Sequence, residues 1–224
     1  QLADPEFCSK AKSGNIDDID YCVGCNQGCY DGFESQDSPC ITCLRNPALG
    51  RERECEIVQT DKPETVLVAG GGIGGLEAAI ILKKRGHSPI LCESTDKLGG
   101  QFLTAGEAPR KEEMKNAVMA MAEKAKRLGV DIRMNTAVTP ELIEEINPHT
   151  VINAIGAVPI IPDIPGKDKD FVVDSHDVLD GNVSVNGNVV VIGGGMVGME
   201  TAEYLAGKGA KVTVLEMMKE FCAD

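Results

Sequence analysis

The sequence predicts an α/β fold built from two βαβ units with parallel strands. A stretch of 24 residues that begins at Gly70 recurs 123 residues further on, and nine of the 24 positions are identical. In each copy an apolar run leads directly into the pattern GxGxxG, which belongs to a strand, a tight turn and a helix. A cysteine-rich stretch precedes both copies, so the predicted order is cysteine loop, first βαβ unit, second βαβ unit.

The first copy starts with a predicted strand at 65–69 and continues through Gly70, Gly72 and Gly75. The first glycine permits the tight turn, the second lets backbone approach a pyrophosphate, and the third lets the helix lie close to the strand. About three helical turns and a second strand follow, and Glu93 ends that strand, where a carboxylate suits ribose hydroxyls. The pattern predicts a Rossmann-type dinucleotide site. The alternative is a packing turn without a nucleotide.

The second copy repeats this order with a predicted strand at 188–192, then Gly193, Gly195 and Gly198, and Glu216 at the end of the next strand. Glu216 can accept both ribose hydroxyls of a dinucleotide but would repel a 2′-phosphate. No arginine follows it to receive that phosphate. The second site is therefore predicted to prefer NADH to NADPH.

Between the copies, the spacing of apolar residues predicts the remaining elements. Apolar residues recur every three or four positions over 111–128, which indicates an amphipathic helix. Prolines at 160–166 indicate an irregular crossover into the second copy. The other predicted elements are strands at 88–92, 131–138, 150–154 and 211–215 and a short helix at 140–146.

Four cysteines lie in the glycine-rich stretch ahead of the first copy, namely Cys22, Cys25, Cys29 and Cys43. Three closely spaced thiolates and a distant fourth are typical of the ligands of a 4Fe-4S cluster. A disulfide framework and a zinc site are the alternatives. Disulfide frameworks suit small secreted domains, and zinc sites usually have two well-separated ligand pairs.

Composition restricts the class of protein. The chain of 224 residues is 42% hydrophobic, which suits one or two cores, and its net charge of −13 disfavours nucleic-acid and anionic membrane partners. No apolar run approaches the roughly 20 residues of a membrane helix. Nine cysteines with a cluster pattern indicate a reducing compartment, so we expect the cytoplasm.

The order of these parts resembles the iron-sulfur flavoenzymes related to 2,4-dienoyl-CoA reductase. Trimethylamine dehydrogenase, enoate reductases and NADH:flavin oxidoreductases are in the same group. The likeness is carried by residues 2–7, the cysteine quartet, residues 97–101 and residues 153–157. The gap of 13 residues between Cys29 and Cys43 is longer than in the dienoyl-CoA reductase type, and Cys40 is a rival fourth ligand. The sequence Leu-Arg-Asn-Pro after Cys43 favours Cys43.

The resemblance implies a domain plan. Residues 1–20 are expected to be the last helix of an FMN-binding TIM barrel, 21–62 a 4Fe-4S cluster loop and linker, 63–158 the first part of an FAD (or ADP) domain, and 159–224 a partial NAD(P) domain. The barrel active site is then expected to lie outside this chain, so no catalytic residue is predicted within it. A complete natural protein is the alternative. The further nucleotide contacts implied in the first fold are Gly99, Gly100, Gln101, Val138, Ala154 and Gly156.

The resemblance also implies an activity for the intact enzyme. Hydride passes from the nicotinamide to FAD, single electrons pass through the cluster to FMN, and FMN reduces an activated alkene such as an enoate or enoyl-CoA. One alternative is an amine dehydrogenase with ADP as a structural ligand. Another is a nucleotide-binding assembly module without its own turnover. The expected partner is a small-molecule substrate, and homo-oligomer formation stays open.

Overall fold

A computed structural model describes residues 1–35 and 40–222. The chain divides into two compact units. The first unit comprises Gln1–Phe102 and Glu113–Gly156, and the second comprises Leu103–Glu112 and Ala157–Asp224. The ten residues from Leu103 to Glu112 thus group with the second βαβ copy, although they lie within the sequence of the first fold.

The N-terminal part of the first unit contains short helices. Helix α1 (Phe7–Ser13) ends at Gly14, whose φ of 78° is the left-handed conformation that a helix C-cap favours. A 3₁₀ helix follows at Ile16–Asp18, and α2 (Tyr30–Glu34) begins directly after Cys29. The described part of the predicted cysteine loop therefore contains one short helix.

The first unit is built on a four-stranded parallel sheet in the order β3-β2-β1-β4. Its strands are β1 (Thr65–Ala69), β2 (Ser88–Cys92), β3 (Asp131–Arg133) and β4 (Thr150–Asn153). Strand β1 lies between β2 and β4, and Leu67 is paired with Ile90 on one side and Val151 on the other. The side chains of Leu67 and Val68 are fully buried, as expected for the centre of a parallel sheet that is covered on both faces.

The helices of the first unit are α3 (Ile73–Lys84), α5 (Glu112–Arg127) and α6 (Pro140–Ile146), and α4 (Gln101–Ala105) runs from the first unit into the segment 103–112. Helix α5 confirms the predicted amphipathic helix within one residue at each end, and it buries Ala117, Val118 and Met121. Thr139 caps α6, because its hydroxyl accepts a hydrogen bond from the Leu142 amide.

The strand predicted at 131–138 is wrong beyond its third residue. Strand β3 ends at Arg133, and Asn135 adopts a left-handed conformation with φ of 52°. The amides of Asn135 and Thr136 bond the carbonyls of Thr95 and Glu93, which takes the chain out of the sheet ladder. Apolar alternation over this segment suggested a longer strand, but these two turn contacts end it.

The second unit contains α7 (Ser175–Leu179), β5 (Asn188–Ile192), α8 (Met196–Gly207) and β6 (Lys211–Leu215). Strands β5 and β6 are parallel, with Val190 opposite Thr213. Two ion pairs, Arg110 with Glu203 and Lys111 with Glu200, attach the segment 103–112 to α8. Within the described ranges, no helix is both long enough and apolar enough to cross a membrane.

Candidate functional site

The first glycine turn lies at the carboxyl end of β1. Gly70 has φ of 103°, and a Cβ atom there would lie 2.3 Å from the Ala154 carbonyl oxygen. A Cβ at Gly75 would lie 1.9 Å from the Gly70 carbonyl oxygen. These two positions require glycine because backbone passes so close. A Cβ at Gly72 would meet no atom within 4 Å, so the space beside Gly72 is open to a ligand.

Gly72 is also the N-cap of α3 and gives the helix no side-chain cap. The amides of the first helical turn have no partner within the helix, and the helix dipole adds positive potential at this end. Open space beside Gly72 and uncapped amides are the combination that binds a pyrophosphate at a helix N-terminus.

Glu93 holds the glycine turn from the end of β2. Its Oε2 accepts a hydrogen bond of 2.7 Å from the Gly71 amide, and its Oε1 accepts bonds from the Thr95 amide at 2.8 Å and the Thr95 hydroxyl at 2.9 Å. Burial alone would raise the pKa of Glu93, but the hydrogen bonds from Thr95, Gly71 and Ser94 lower it below the ordinary value. The carboxylate is therefore ionised at neutral pH and retains acceptor capacity for ribose hydroxyls.

A second turn closes on the first. The Gly99 amide donates a 2.8 Å hydrogen bond to the Gly71 carbonyl, and a Cβ at Gly100 would lie 3.2 Å from the Gly72 Cα. Both glycines have positive φ, 121° and 52°. The structure thus brings together Gly70, Gly72, Gly75, Glu93, Gly99, Gly100 and Ala154 at one edge of the sheet.

Three other predicted contacts of the first fold are placed less tightly. Gln101 begins α4, Val138 is half-buried in the irregular segment after β3, and Gly156 follows β4 with φ of 77°. Their roles as nucleotide contacts stay predictions. Thr95 was missed by the sequence reasoning, although its position two residues after the strand-end carboxylate suits a residue that bonds that carboxylate.

The second copy reproduces the turn. Gly193 has φ of 106°, a Cβ at Gly198 would lie 1.9 Å from the Gly193 carbonyl oxygen, and the space beside Gly195 is open. Glu216 accepts bonds from the Gly194 amide at 2.6 Å and from the Met218 amide at 2.7 Å. Hydrogen bonds from the Met218 and Gly194 amides lower the pKa of Glu216, so this carboxylate is also ionised at neutral pH.

The cysteine loop is held together by its backbone. The Thr42 amide donates a 2.8 Å bond to the Gly28 carbonyl, which places the segments of Cys29 and Cys43 side by side. A Cβ at Gly28 would lie 2.5 Å from the Thr42 hydroxyl oxygen, so this approach requires glycine. The Gly24 amide points at the Cys22 sulfur, 3.4 Å away, as amides do around iron-bound thiolates.

All nine cysteines lie in the described residues and are free thiols. Four thiols on two adjoining segments match the donor chemistry of an iron-sulfur cluster. Among the described residues, however, no three His, Cys, Asp or Glu side chains stand close enough to hold a metal ion. Cys43 is half-buried and Cys40 is exposed, which does not choose between them. The four ligands therefore stay a prediction.

A cleft of about 710 Å³ in the first unit lies away from the glycine turns. It is lined by the N-terminal segment, residues 45–48 of the cysteine loop, the linker at 55–58 and residues of α3 that include Glu77 and Ile80. Its polar lining includes the ion pairs of Asp4 with Lys10 and of Asp20 with Arg45 and Lys124.

Comparison with known proteins identifies both βαβ copies. Residues 65–151 match the family model of FAD dependent oxidoreductases, and residues 143–224 match that of pyridine nucleotide-disulphide oxidoreductases. The chain is 40% identical over 223 residues to bilirubin reductase of Mediterraneibacter gnavus, covering 100% of this chain and 34% of that protein. It is 42% identical over 228 residues to NADH oxidase of Thermoanaerobacter brockii, covering 100% of this chain and 35% of that protein.

A solved structure of 2-naphthoyl-CoA reductase superposes with a TM-score of 0.93 at 33% identity, over 99% of this chain and 34% of that one. The chain belongs to the family of flavoenzymes related to 2,4-dienoyl-CoA reductase. The resemblance and the Rossmann-type α/β fold predicted from the sequence are thereby confirmed. The chain spans about a third of the length of the curated relatives it matches.

The two family matches support FAD and nicotinamide-nucleotide binding by the two folds, and the relatives are reductases and oxidases by name. The prediction of an oxidoreductase family is confirmed.

Proposed function

We propose that this chain is the electron-transfer region of an NAD(P)H-dependent flavoprotein oxidoreductase that reduces an activated C=C bond. The observation that carries the proposal is the repeated glycine turn. Each copy has an open, uncapped helix N-terminus and, beside it, an ionised carboxylate at the end of the second strand. The first copy matches FAD enzymes and the second matches pyridine-nucleotide enzymes.

The residues of the chain have distinct roles in this proposal. The amides at the start of α3 and α8 hold a pyrophosphate each, and the open glycines Gly72 and Gly195 let it approach. Glu93 and Glu216 accept ribose hydroxyls. When bound, FAD would accept a hydride from the nicotinamide, and a 4Fe-4S cluster would supply one-electron transfer to the FMN that reduces the substrate.

Cys22, Cys25, Cys29 and Cys43 are proposed to hold the cluster. The hydrogen bond from the Thr42 amide to the Gly28 carbonyl, which joins the segments of Cys29 and Cys43, supports this assignment. The proposal includes a small-molecule substrate such as an enoate or enoyl-CoA and a reducing, cytoplasmic setting. It includes neither nucleic-acid nor membrane partners, in keeping with the net charge of −13. Self-association into a homo-oligomer is compatible with it.

Analysis of the anaerobically purified full-length protein tests the proposal. We expect FAD among the acid-released nucleotides and about four irons and four sulfides for each chain. Replacing Cys43 with Ser should remove the iron, whereas the matched Cys40→Ser variant should keep it. The reverse result would exchange the two ligands.

Other outcomes would overturn parts of the proposal. Recovery of ADP in place of FAD would favour an amine dehydrogenase with a structural nucleotide. Zinc bound in iron-supplemented protein would exclude the cluster. Bound nucleotides without reduction of the flavin by NADH would favour an assembly module.

A further inference from the structure

The two copies keep matching in structure after their sequences have diverged. Residues 94–99 follow Glu93, and residues 217–222 follow Glu216 at the same offset of 123 positions, but no position of these two segments is identical. We call residues 217–222 the closing segment of the second copy. Its contacts with the glycine turn repeat those of residues 94–99 one by one.

Both segments begin on the strand-end carboxylate. Oε1 of Glu93 accepts a 2.8 Å hydrogen bond from the Thr95 amide, and Oε1 of Glu216 accepts a 2.7 Å bond from the Met218 amide. Thr95 and Met218 are 123 positions apart, like the carboxylates that they bond. The first contact of the closing segment is therefore conserved between the copies without a shared side chain.

Both segments also end on the glycine turn. The Gly99 amide donates a 2.8 Å bond to the Gly71 carbonyl, and the Cys222 amide donates a 2.9 Å bond to the Gly194 carbonyl. The Gly194 amide donates a 2.6 Å bond to Oε2 of Glu216. The N–H and the C=O of Gly194 are thus bonded to the end of the second copy from both sides.

Phe221 fills the space that a side chain at Gly194 would need. A Cβ atom at Gly194 would lie 2.3 Å from Cδ1 of Phe221 and 3.0 Å from Cβ of Glu216. The ring therefore packs on this glycine beside the stem of the carboxylate, although Phe221 is 54% exposed. Leu98 has the same place in the first copy, where a Cβ at Gly71 would lie 2.5 Å from its Cδ2.

The apolar cover bears on the orientation of Glu216. The carboxylate is held by the amides of Gly194 and Met218, and water competes for both partners wherever a hydrogen bond is exposed. A glutamate side chain also gains rotamer freedom when it is released. A ring on Gly194 keeps water from one side of this contact and so favours the bonded orientation.

We propose that Phe221 is a positioning residue for nucleotide specificity. By covering Gly194 it keeps Glu216 oriented toward the ribose hydroxyls of the second nucleotide. This inference rests on the proposed function, in which the second fold binds a nicotinamide nucleotide and Glu216 accepts those hydroxyls. The ring acts through the carboxylate, so its loss should weaken the discrimination against a 2′-phosphate as well as the binding of NAD⁺.

The test is the equilibrium binding of NAD⁺ and of NADP⁺ to the oxidised full-length enzyme, measured by isothermal titration calorimetry. Phe221→Ala should raise the ratio of NADP⁺ affinity to NAD⁺ affinity about three- to tenfold. Phe221→Leu reproduces the side chain of the first copy and should keep the wild-type ratio. A ring with a merely structural role would weaken the binding of both nucleotides alike.

The matched control is Phe171→Ala. It removes a phenyl ring that is 84% exposed in the same unit, so both dissociation constants should stay at their wild-type values. Gly194→Ala displaces the Phe221 ring from the opposite side and should raise the ratio in the same direction as Phe221→Ala. This second variant keeps the inference testable if Phe221→Ala fails to fold.

A double variant separates this inference from the proposed function. Because the ring acts through the carboxylate, Phe221→Ala should change the ratio little in a Glu216→Ala background. A ratio that moves with Glu216→Ala but not with Phe221→Ala, or effects of the two that simply add, would overturn the role of Phe221 alone. A ratio that Glu216→Ala leaves unchanged would overturn the proposed role of the carboxylate and this inference with it.

Discussion

The two glycine turns share their backbone geometry but differ in what surrounds them. In the first, β1 is flanked by two strands, and a Cβ at Gly70 would strike the Ala154 carbonyl of β4. In the second, β5 has one described neighbour, and a Cβ at Gly193 would meet nothing within 4 Å. Val190 and Ile192 of β5 are 58% and 60% exposed, whereas their counterparts in β1 are buried. The local sequence therefore dictates the turn, and neighbouring strands determine how tightly it is enclosed.

The carboxylates that hold the two turns differ in the same way. Glu93 is followed by Ser94 and Thr95. The hydroxyls of both residues donate to the Glu93 carboxylate, which also accepts from the amides of Gly71 and Thr95. Glu216 is followed by Met217 and Met218, which have no hydroxyl. Its carboxylate accepts hydrogen bonds from the amides of Gly194 and Met218. The first turn is thus better satisfied as well as more buried.

Alanine at the first glycine of each turn should give the largest contrast. Gly70→Ala combines strain at φ of 103° with a steric overlap against backbone, so we expect a loss of about 3–5 kcal/mol. Gly193→Ala has the strain alone and should cost about 1–3 kcal/mol. Hydrogen exchange at the amides of β1 and β5 in the chain of 224 residues measures the two losses separately. Equal losses would show that β4 does not enclose the first turn.

Glu93→Gln should destabilise the first turn by about 1–3 kcal/mol, because an amide NH₂ must then face either the Gly71 or the Thr95 amide. The matched Glu216→Gln should have a smaller effect, since water reaches the groups around Glu216. Urea denaturation and hydrogen exchange of the chain of 224 residues measure both losses of stability. A larger effect at Glu216 would contradict the difference in enclosure.

The wild type and Glu93→Gln should also differ in how their stability depends on pH. The folded pKa of Glu93 is lowered, so its contribution to stability is fully present above the unfolded pKa, about 4.3, and is lost as pH falls through the folded pKa. The wild type should lose stability over that acidic range, and Glu93→Gln should lose less. Identical pH profiles would mean that the carboxylate is not held in the native state as described.

Glu216→Ala should change nicotinamide choice in the full-length enzyme. Without the carboxylate, repulsion of a 2′-phosphate disappears, and the ratio of kcat/KM for NADPH over NADH should rise on the order of tenfold. Glu220→Ala removes an exposed carboxylate four residues on and is the control. A wild-type enzyme that already prefers NADPH would contradict the role proposed for Glu216.

The smallest expected effect concerns the residues that lie two positions after Glu93 and Glu216. Thr95→Val removes a hydroxyl that donates to Glu93 and should cost about 1 kcal/mol. Met218→Leu, at the equivalent place in the second copy, removes no hydrogen bond and should be nearly neutral. Thermal denaturation of both variants is the measurement. A neutral Thr95→Val would show that the two amides suffice for Glu93.

The sequence predicted best what is encoded over short distances. Strands 65–69, 88–92, 188–192 and 211–215 and the helix at 111–128 followed from local periodicity, and the structure confirms them. The end of β3 could not be predicted, because it depends on bonds from Asn135 and Thr136 to residues about 40 positions earlier. For the same reason the ion pair of Asp20 with Lys124 could not be predicted, since the two residues are 104 positions apart.

Residues 103–112 make the second unit discontinuous in sequence. Nicotinamide specificity could be exchanged between two relatives by replacing all residues after 156. In such a chimaera a new α8 would face the original Arg110 and Lys111. The incoming helix would have to supply carboxylates where Glu200 and Glu203 now stand. A chimaera that carries its own ten-residue segment keeps those pairs matched, and its construction takes three crossovers instead of one.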